Sequence, residues 1–348
     1  MLDNTQAGRE PALTAPVTTL APGHRMGAGR GRSLARLVAG RLLIGAGLLL
    51  AVSLLIFAGT QILPGDVATA MLGQQATPEA VAAIRAKLGL DQPAAWRYLQ
   101  WLGGVLTGDL GVSTSNAQDI AVSIAPRLWN TLLLAGLAAA ISVPLAILLG
   151  GLSVIYREGI VDRVLNIATL AFVSLPEFVI GYLLIFYLAV QWNWLPSSAV
   201  VHDGMGVAER LQAMALPALT LVLAVLGHMM RMTRAALINV VASPYVETAE
   251  LKGLSRARVL WVHALLNALG PIINVVALNL AYLVVGVVVV EVIFVYPGMG
   301  QYMVDHVTKR DVPVVQACGL IFAGVYIGLN ILADLAAIIA NPRLRHRS

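Results

Sequence analysis

Glu177, Glu291 and Asp334 lie inside or at the edges of long apolar runs. A carboxylate is costly there and is a candidate for proton relay or solute contact. Glu291 closes its run and Asp334 stands one to two turns from the end of its own, so both are also placed to be paired near an interface. Glu177 differs, because it follows Pro176 near the middle of an apolar stretch. Proline removes a backbone donor and frees a carbonyl, and such irregular backbone at membrane depth must line protein or a water-filled cavity. Glu177 therefore reads as a pathway residue or as a packing partner. Asn274, Asn279, Tyr282 and Asn330 are further pathway candidates within the runs. Polar side chains also join membrane helices, at about 0.6–2 kcal/mol each.

Other chemistry is excluded by spacing. A P-loop needs glycine directly before its lysine so that backbone N–H groups can wrap phosphate. Lys87, Lys252 and Lys309 follow Ala86, Leu251 and Thr308 instead. Ser113, Ser153 and Ser255 each have glycine two residues before but none two residues after, so there is no nucleophile elbow. The six histidines form no His-x-x-x-His pair, and His228, just before Met229 and Arg231, reads as interfacial. A single cysteine, Cys318, excludes an internal disulfide and a cysteine-based zinc cluster. No catalytic constellation, metal site or cofactor is expected in the chain, and an enzyme reading has only the three carboxylates to rest on.

The elements that must position these groups are membrane helices. Of the 348 residues 58% are apolar and 12% charged, with a mean hydropathy of +0.81. Soluble domains carry about 45–50% and about 25%. Six runs reach or approach the length of about 20 residues that a spanning helix needs. They are Leu42–Leu63, Trp129–Ile155, Val164–Val190, Met214–Met230, Leu269–Val290 and Val312–Ile339. The fourth is the shortest, at 17 residues, with Arg231 and Arg234 able to snorkel from its end. Sixteen of the 23 Lys and Arg fall in one set of alternate connections and seven in the other, which predicts cytoplasmic termini. The net charge of +5 thus sits at the ends of apolar runs, a distribution that excludes a nucleic-acid surface.

Residues 1–33 read as a disordered basic tail, near anionic lipid or simply solvated, and 342–348 as a second basic tail. Residues 34–341 form the expected all-α membrane domain, whose first run is too long for a signal-peptide core and remains as an anchor.

Two connections carry structure. In the outer loop, 64–128, Thr77-Pro78-Glu79 starts a helix with Val81, Ile84 and Leu88 on one face, ended by Gly89. A second helix from Gln92-Pro93 places Trp96, Leu99, Leu102 and Leu106 on a stripe before Gly108. In the cytoplasmic loop, 239–268, Ser243-Pro244 reads as a helix start with a capping hydroxyl, Glu247 falls in the first turn, Lys252 in the last, and Gly253 supplies a left-handed stop. Ser255 begins a second helix at once. The resulting helix of about nine residues presents Tyr245, Ala249 and Lys252 on one side. Glu247, Glu250 and Lys252 interrupt any continuous apolar face, so docking into a groove on another protein is favoured over lying on lipid.

The segment from Ser243 to Leu254, with His263-Ala264-Leu265-Leu266-Asn267-Ala268, resembles the permease loop of ABC importers in the dipeptide/oligopeptide/nickel family. The resemblance runs from about Arg36 and includes Leu63-Pro64-Gly65-Asp66, Leu88-Gly89-Leu90-Asp91-Gln92-Pro93, Gly108-Asp109-Leu110-Gly111 and Asn130-Thr131-Leu132. It continues through Leu175-Pro176, Glu291-Val292-Ile293-Phe294, Pro297-Gly298-Met299-Gly300, Arg310-Asp311-Val312-Pro313 and Asn341-Pro342-Arg343. Against the general importer loop pattern the chain keeps Glu247, Ala249 and Gly253 but has Thr248. The resemblance implies the type I importer permease fold, in the plasma (inner) membrane of a bacterium. It implies a second homologous permease, two cytoplasmic ATPase subunits holding ATP and Mg, and an extracytoplasmic solute-binding protein. Coupling to the ATPases would fall on Tyr245, Glu247, Ala249, Lys252 and Gly253, and Trp96, Leu99 and Asp109 are candidates to meet the binding protein. The implied solute is a di- or oligopeptide, with nickel, glutathione or an opine as alternatives on the same machinery. A proton-coupled secondary transporter using Glu177 is the rival from the residues alone.

Overall fold

The computed structural model describes residues 29–340 apart from 63–68, 70–71, 73–75, 88 and 203. The C-terminal tail, most of the N-terminal tail, and the motifs at Leu63-Pro64-Gly65-Asp66, Leu88 and Asn341-Pro342-Arg343 lie outside the described residues. Helix α1 (Gly29–Ile62) is followed by two short helices, α2 (Pro78–Lys87) and α3 (Ala94–Thr107). Then come α4 (Ile120–Ile155), α5 (Ile160–Ser174), α6 (Glu177–Leu184), which runs on as π-helical turns over Ile185–Gln191, and α7 (Val207–Val241). The short α8 (Pro244–Leu251) leads through Arg256–Arg258 and π-helical Val259–Ala264 into α9 (Leu265–Ile293). Helices α10 (Met299–Thr308) and α11 (Val312–Ala340) are the last of the described residues.

Five of these helices are long and apolar enough to cross a membrane, or six if the bent pair α5–α6 counts as one span. That pair corrects the expectation for Val164–Val190, which is not a straight span: α5 and α6 meet at 103°. Pro176 lacks a backbone donor, and Leu175 before it is extended at φ −93° and ψ 129°, the conformation that a following proline imposes.

The fourth run is corrected as well. Helix α7 has 35 residues, about twice the apolar run that betrays it. The most apolar stretch of α7 is 72% buried, against 17% for α1, because α7 is enclosed by protein and need not be uniformly apolar. Helices α4, α7 and α9 build the core around Leu134, Leu216, Leu221, Met229, Met230, Leu283 and Val287.

Apolar contact provides little drive between helices already in lipid, so close packing and polar links must carry the assembly. Three links stand out. At the end of the bundle nearest α8, the Arg234 guanidinium donates to Asp162 at 2.8 and 3.0 Å and to Ser153 at 2.9 Å, while Ser153 also donates to Asp162. Arg234 therefore ties α7 to α4 and α5 and does not snorkel.

At the opposite end, buried Glu291 accepts from Thr131 Oγ1 at 2.6 Å and from the Gly300 and Gln301 N–H groups at 2.7 and 3.1 Å. Those amides open α10, where unpaired N–H groups favour a negative partner. Asn130 donates to the Pro297 carbonyl and accepts from Arg210, closing the same knot around the turn after α9. The third link is the Arg41–Asp334 ion pair of 2.7 Å, which joins α1 to α11.

Candidate functional site

The break at Pro176 places Glu177 at the first position of α6, with its carboxylate lying on α9. Gly286 makes that approach possible, since a Cβ there would stand 2.7 Å from Glu177 Oε2. Oε2 is buried without a hydrogen-bond partner. Glu177 borders a cavity of about 570 Å³ between α5, α6, α7 and α9. Asn279 and Tyr282 line it together with Ser174, His228 and the apolar side chains of Phe172, Leu175, Val225 and Leu278. Val225 and Asn279 are close to the midpoints of α7 and of the span that contains α9, so the cavity sits at mid-depth in the bundle. Asn279 is itself buried and donates from Nδ2 to the Val275 carbonyl at 2.8 Å.

The structure thus gathers Glu177, Asn279 and Tyr282 but not the other two pathway candidates. Asn274 is exposed on α9 outside the cavity lining, two turns before Tyr282. Asn330, on α11, donates to the Tyr326 carbonyl at 2.8 Å and is likewise outside it. His228, read from the sequence as interfacial, lines the cavity from α7, 13 residues before that helix ends at Val241. The Ser243-Pro244 break was the available signal, because running the fourth helix up to that break puts His228 well inside it.

Helix α8 stands apart at one end of the bundle. Gly253, at φ +83°, makes the left-handed stop, and Ser255 accepts from the Arg258 N–H at 3.4 Å to start the next turn. Ser243 is not a side-chain cap, since its hydroxyl donates backwards to the Val240 carbonyl at 2.5 Å. Lys252 takes the C-cap position just beyond the last turn. Val246 alone of this helix is buried, and Tyr245, Glu247, Lys252 and Gly253 are exposed with Ala249 half-buried between them. A groove of about 390 Å³ runs beside it, lined by Val154, Arg157, Ile238, Glu250, Arg256 and Leu260.

At the other end, α3 docks on α1 through the ring cluster of Phe57, Tyr98 and Trp101, with Tyr98 Oη 2.8 Å from Ser53 Oγ. Its apolar stripe turns away from the chain, leaving Trp96 and Leu99 more than half exposed. Asp109 instead lines a cleft of about 690 Å³ between α1, α3 and the start of α11, its Oδ1 accepting from the Gly111 N–H at 2.8 Å. Nearby, burial opposes ionisation of Asp311, but donation from the Ser113 hydroxyl at 2.6 Å and from the Thr114 and Ser115 N–H groups at 3.1 Å outweighs it and holds the carboxyl below its ordinary range.

Bent and straight spans around a cavity, with a short exposed helix at one end, describe a polytopic membrane protein. Residues 142–346 match the family described as binding-protein-dependent transport system inner membrane component. Residues 34–135 match its N-terminal companion family. A probable peptide ABC transporter permease protein of Sinorhizobium fredii is 35% identical over 85% of this chain and 94% of its own length. A putative peptide transport system permease protein of Brucella abortus is 37% identical over 86% and 95%. The dipeptide transport system permease protein DppB of Escherichia coli is 34% identical over 85% and 94%. The chain belongs to the peptide-permease family of ABC importers, with the all-α type I permease fold of a multi-pass inner-membrane protein.

Proposed function

We propose that this chain forms half of a translocation pathway for di- or oligopeptides and couples it through α8 to cytoplasmic ATPase subunits. The observation that carries the coupling is α8 itself: eight residues, one of them buried, set between spans whose most apolar stretches are 72% and 44% buried. In this reading a groove on each of two ATPases receives such a helix, from this chain and from a homologous second permease. Tyr245, Glu247, Ala249 and Lys252 make the contact, and Gly253 fixes the angle at which the chain leaves it. ATP and Mg are held by the ATPases, and closure of those subunits on ATP pulls α8 with them.

Displacement of α8 is transmitted by the elements it is tied to. Its C-terminus feeds through the π-helical turn at 259–264 into α9, and its N-terminus comes after α7 with a two-residue break between them. These are two of the helices that line the cavity, so a shift of α8 reorients cavity walls. The solute-binding protein, in the same reading, delivers on the outer face, where Trp96 and Leu99 form an exposed platform beside the Asp109 cleft.

The test is Gly253→Pro in the assembled transporter. Proline holds φ near about −65° and cannot adopt the positive angle found here. Dipeptide uptake is expected to be lost or reduced at least tenfold while the chain still inserts in the membrane. Unchanged uptake would sink the coupling assignment.

A further inference from the structure

We propose that Glu177 makes the mid-depth cavity selective for cationic groups, and that the group it receives is the N-terminal ammonium of the solute. This rests on the peptide-import reading and gives its cavity a chemical preference. Among the lining residues Glu177 is the one carboxylate, and no Lys or Arg is present. Neither of its oxygens accepts a hydrogen bond from a described residue, in contrast to the saturated oxygens of Glu291. An unpartnered carboxylate at membrane depth is costly, and a passing ammonium supplies the missing charge and the missing donors together.

The rest of the lining suits the remainder of a short peptide. Ser174, Asn279 and Tyr282 offer neutral polar groups near the carboxylate, and Phe172, Leu175, Val225 and Leu278 offer apolar wall for side chains. Gly286 positions the charge. With no Cβ beneath it, the Glu177 carboxylate can lie back against α9, leaving the cavity open.

The test uses the complete transporter in proteoliposomes, with Ser174→Cys as a reporter in the cavity wall. The single native thiol of this chain, Cys318, is buried. Labelling rates of this chain by a trimethylammonium and by a sulfonate methanethiosulfonate are compared, each normalised to its rate with 2-mercaptoethanol. The cationic reagent is expected to be favoured at least tenfold, and the preference to collapse in S174C/E177Q and persist in S174C/E177D. Gly286→Ala moves the carboxylate without removing it, because a flexible side-chain end is what the new Cβ meets, so uptake should fall with the preference retained.

In parallel, the maximal uptake rate of alanyl-phenylalanine at saturating binding protein is expected to fall at least tenfold in E177Q and less than threefold in E177D, at equal complex yield. An equal labelling ratio with and without the Glu177 carboxylate, or undiminished uptake in E177Q, overturns the proposal while leaving peptide import standing. A preserved cation preference with no dipeptide uptake by the unmodified transporter overturns the peptide reading and leaves the cation selectivity in place.

Discussion

Glu177 and Glu291 are the same residue type at comparable risk, each embedded in an apolar stretch, and the fold treats them oppositely. Glu291 is fully buried with hydroxyl and amide donors converging on both of its oxygens. Glu177 borders a cavity and has an oxygen with no partner. The first fastens α4, α9 and α10 together. The second keeps unspent hydrogen-bonding capacity at the edge of a cavity. Burial alone therefore does not separate a structural carboxylate from a functional one, and what separates them is whether the protein itself completes the hydrogen bonds.

Mutations can break or sharpen that contrast. The largest effect is expected from Glu291→Ala, which strands two amides and a hydroxyl in a buried site. Hydrogen bonds to charged groups contribute about 1.5–3 kcal/mol each, so a loss of about 3–5 kcal/mol should appear as a much lower melting temperature of the purified chain and poor yield. A melting temperature close to the parent's would show that the knot is not what fastens this end.

Asp162→Ala comes next, since it leaves Arg234 without its carboxylate partner at a site where the aspartate side chain is 9% exposed and the arginine 25%. A cost of about 2–4 kcal/mol is expected in denaturant unfolding, and Arg234→Ala made together with it should recover part of that loss.

Glu177→Gln is the opposite case. It removes no hydrogen bond to a described residue, so its unfolding free energy should stay within about 0.5 kcal/mol of the parent's while uptake falls. A large destabilisation would mean that Glu177 is a packing partner after all.

The effect confined to the narrowest window of conditions concerns acid. The folded Asp311 carboxyl lies below its ordinary range, so the folded state binds fewer protons there than the unfolded chain. Its contribution is complete above the unfolded value of about 3.9 and is lost as pH falls through the folded value. Unfolding free energies of the parent and Asp311→Asn should therefore differ by about 1 kcal/mol at neutral pH and converge in strong acid.

What the sequence discloses is local. Gly253, Ser255 and the proline break before Glu177 can be read directly, because a positive φ, a cap and a missing N–H are decided within a few residues. Ser243 shows the limit of that reading, since its hydroxyl found the Val240 carbonyl in the preceding turn before any amide of α8. Hydropathy located α7 but halved it, as a helix wrapped by protein is released from the need to be apolar on every face. The knots were illegible because their members are distant in the chain: Thr131 and Glu291 are 160 residues apart, Asp162 and Arg234 are 72 apart. Several short motifs that carry the family resemblance, Asn130-Thr131, Glu291 and Pro297-Gly298-Met299-Gly300, turn out to be one object in space.

Helix α8 buries one side chain against its own chain, Val246, with Ala249 half-buried, and is bounded by residues whose conformation is set locally. Folding therefore places almost no demand on the identity of its outward residues. The surface offered at this end can be rewritten residue by residue without repacking any span, so what α8 meets and what the cavity between α5, α6, α7 and α9 admits are set by separate residues of one polypeptide.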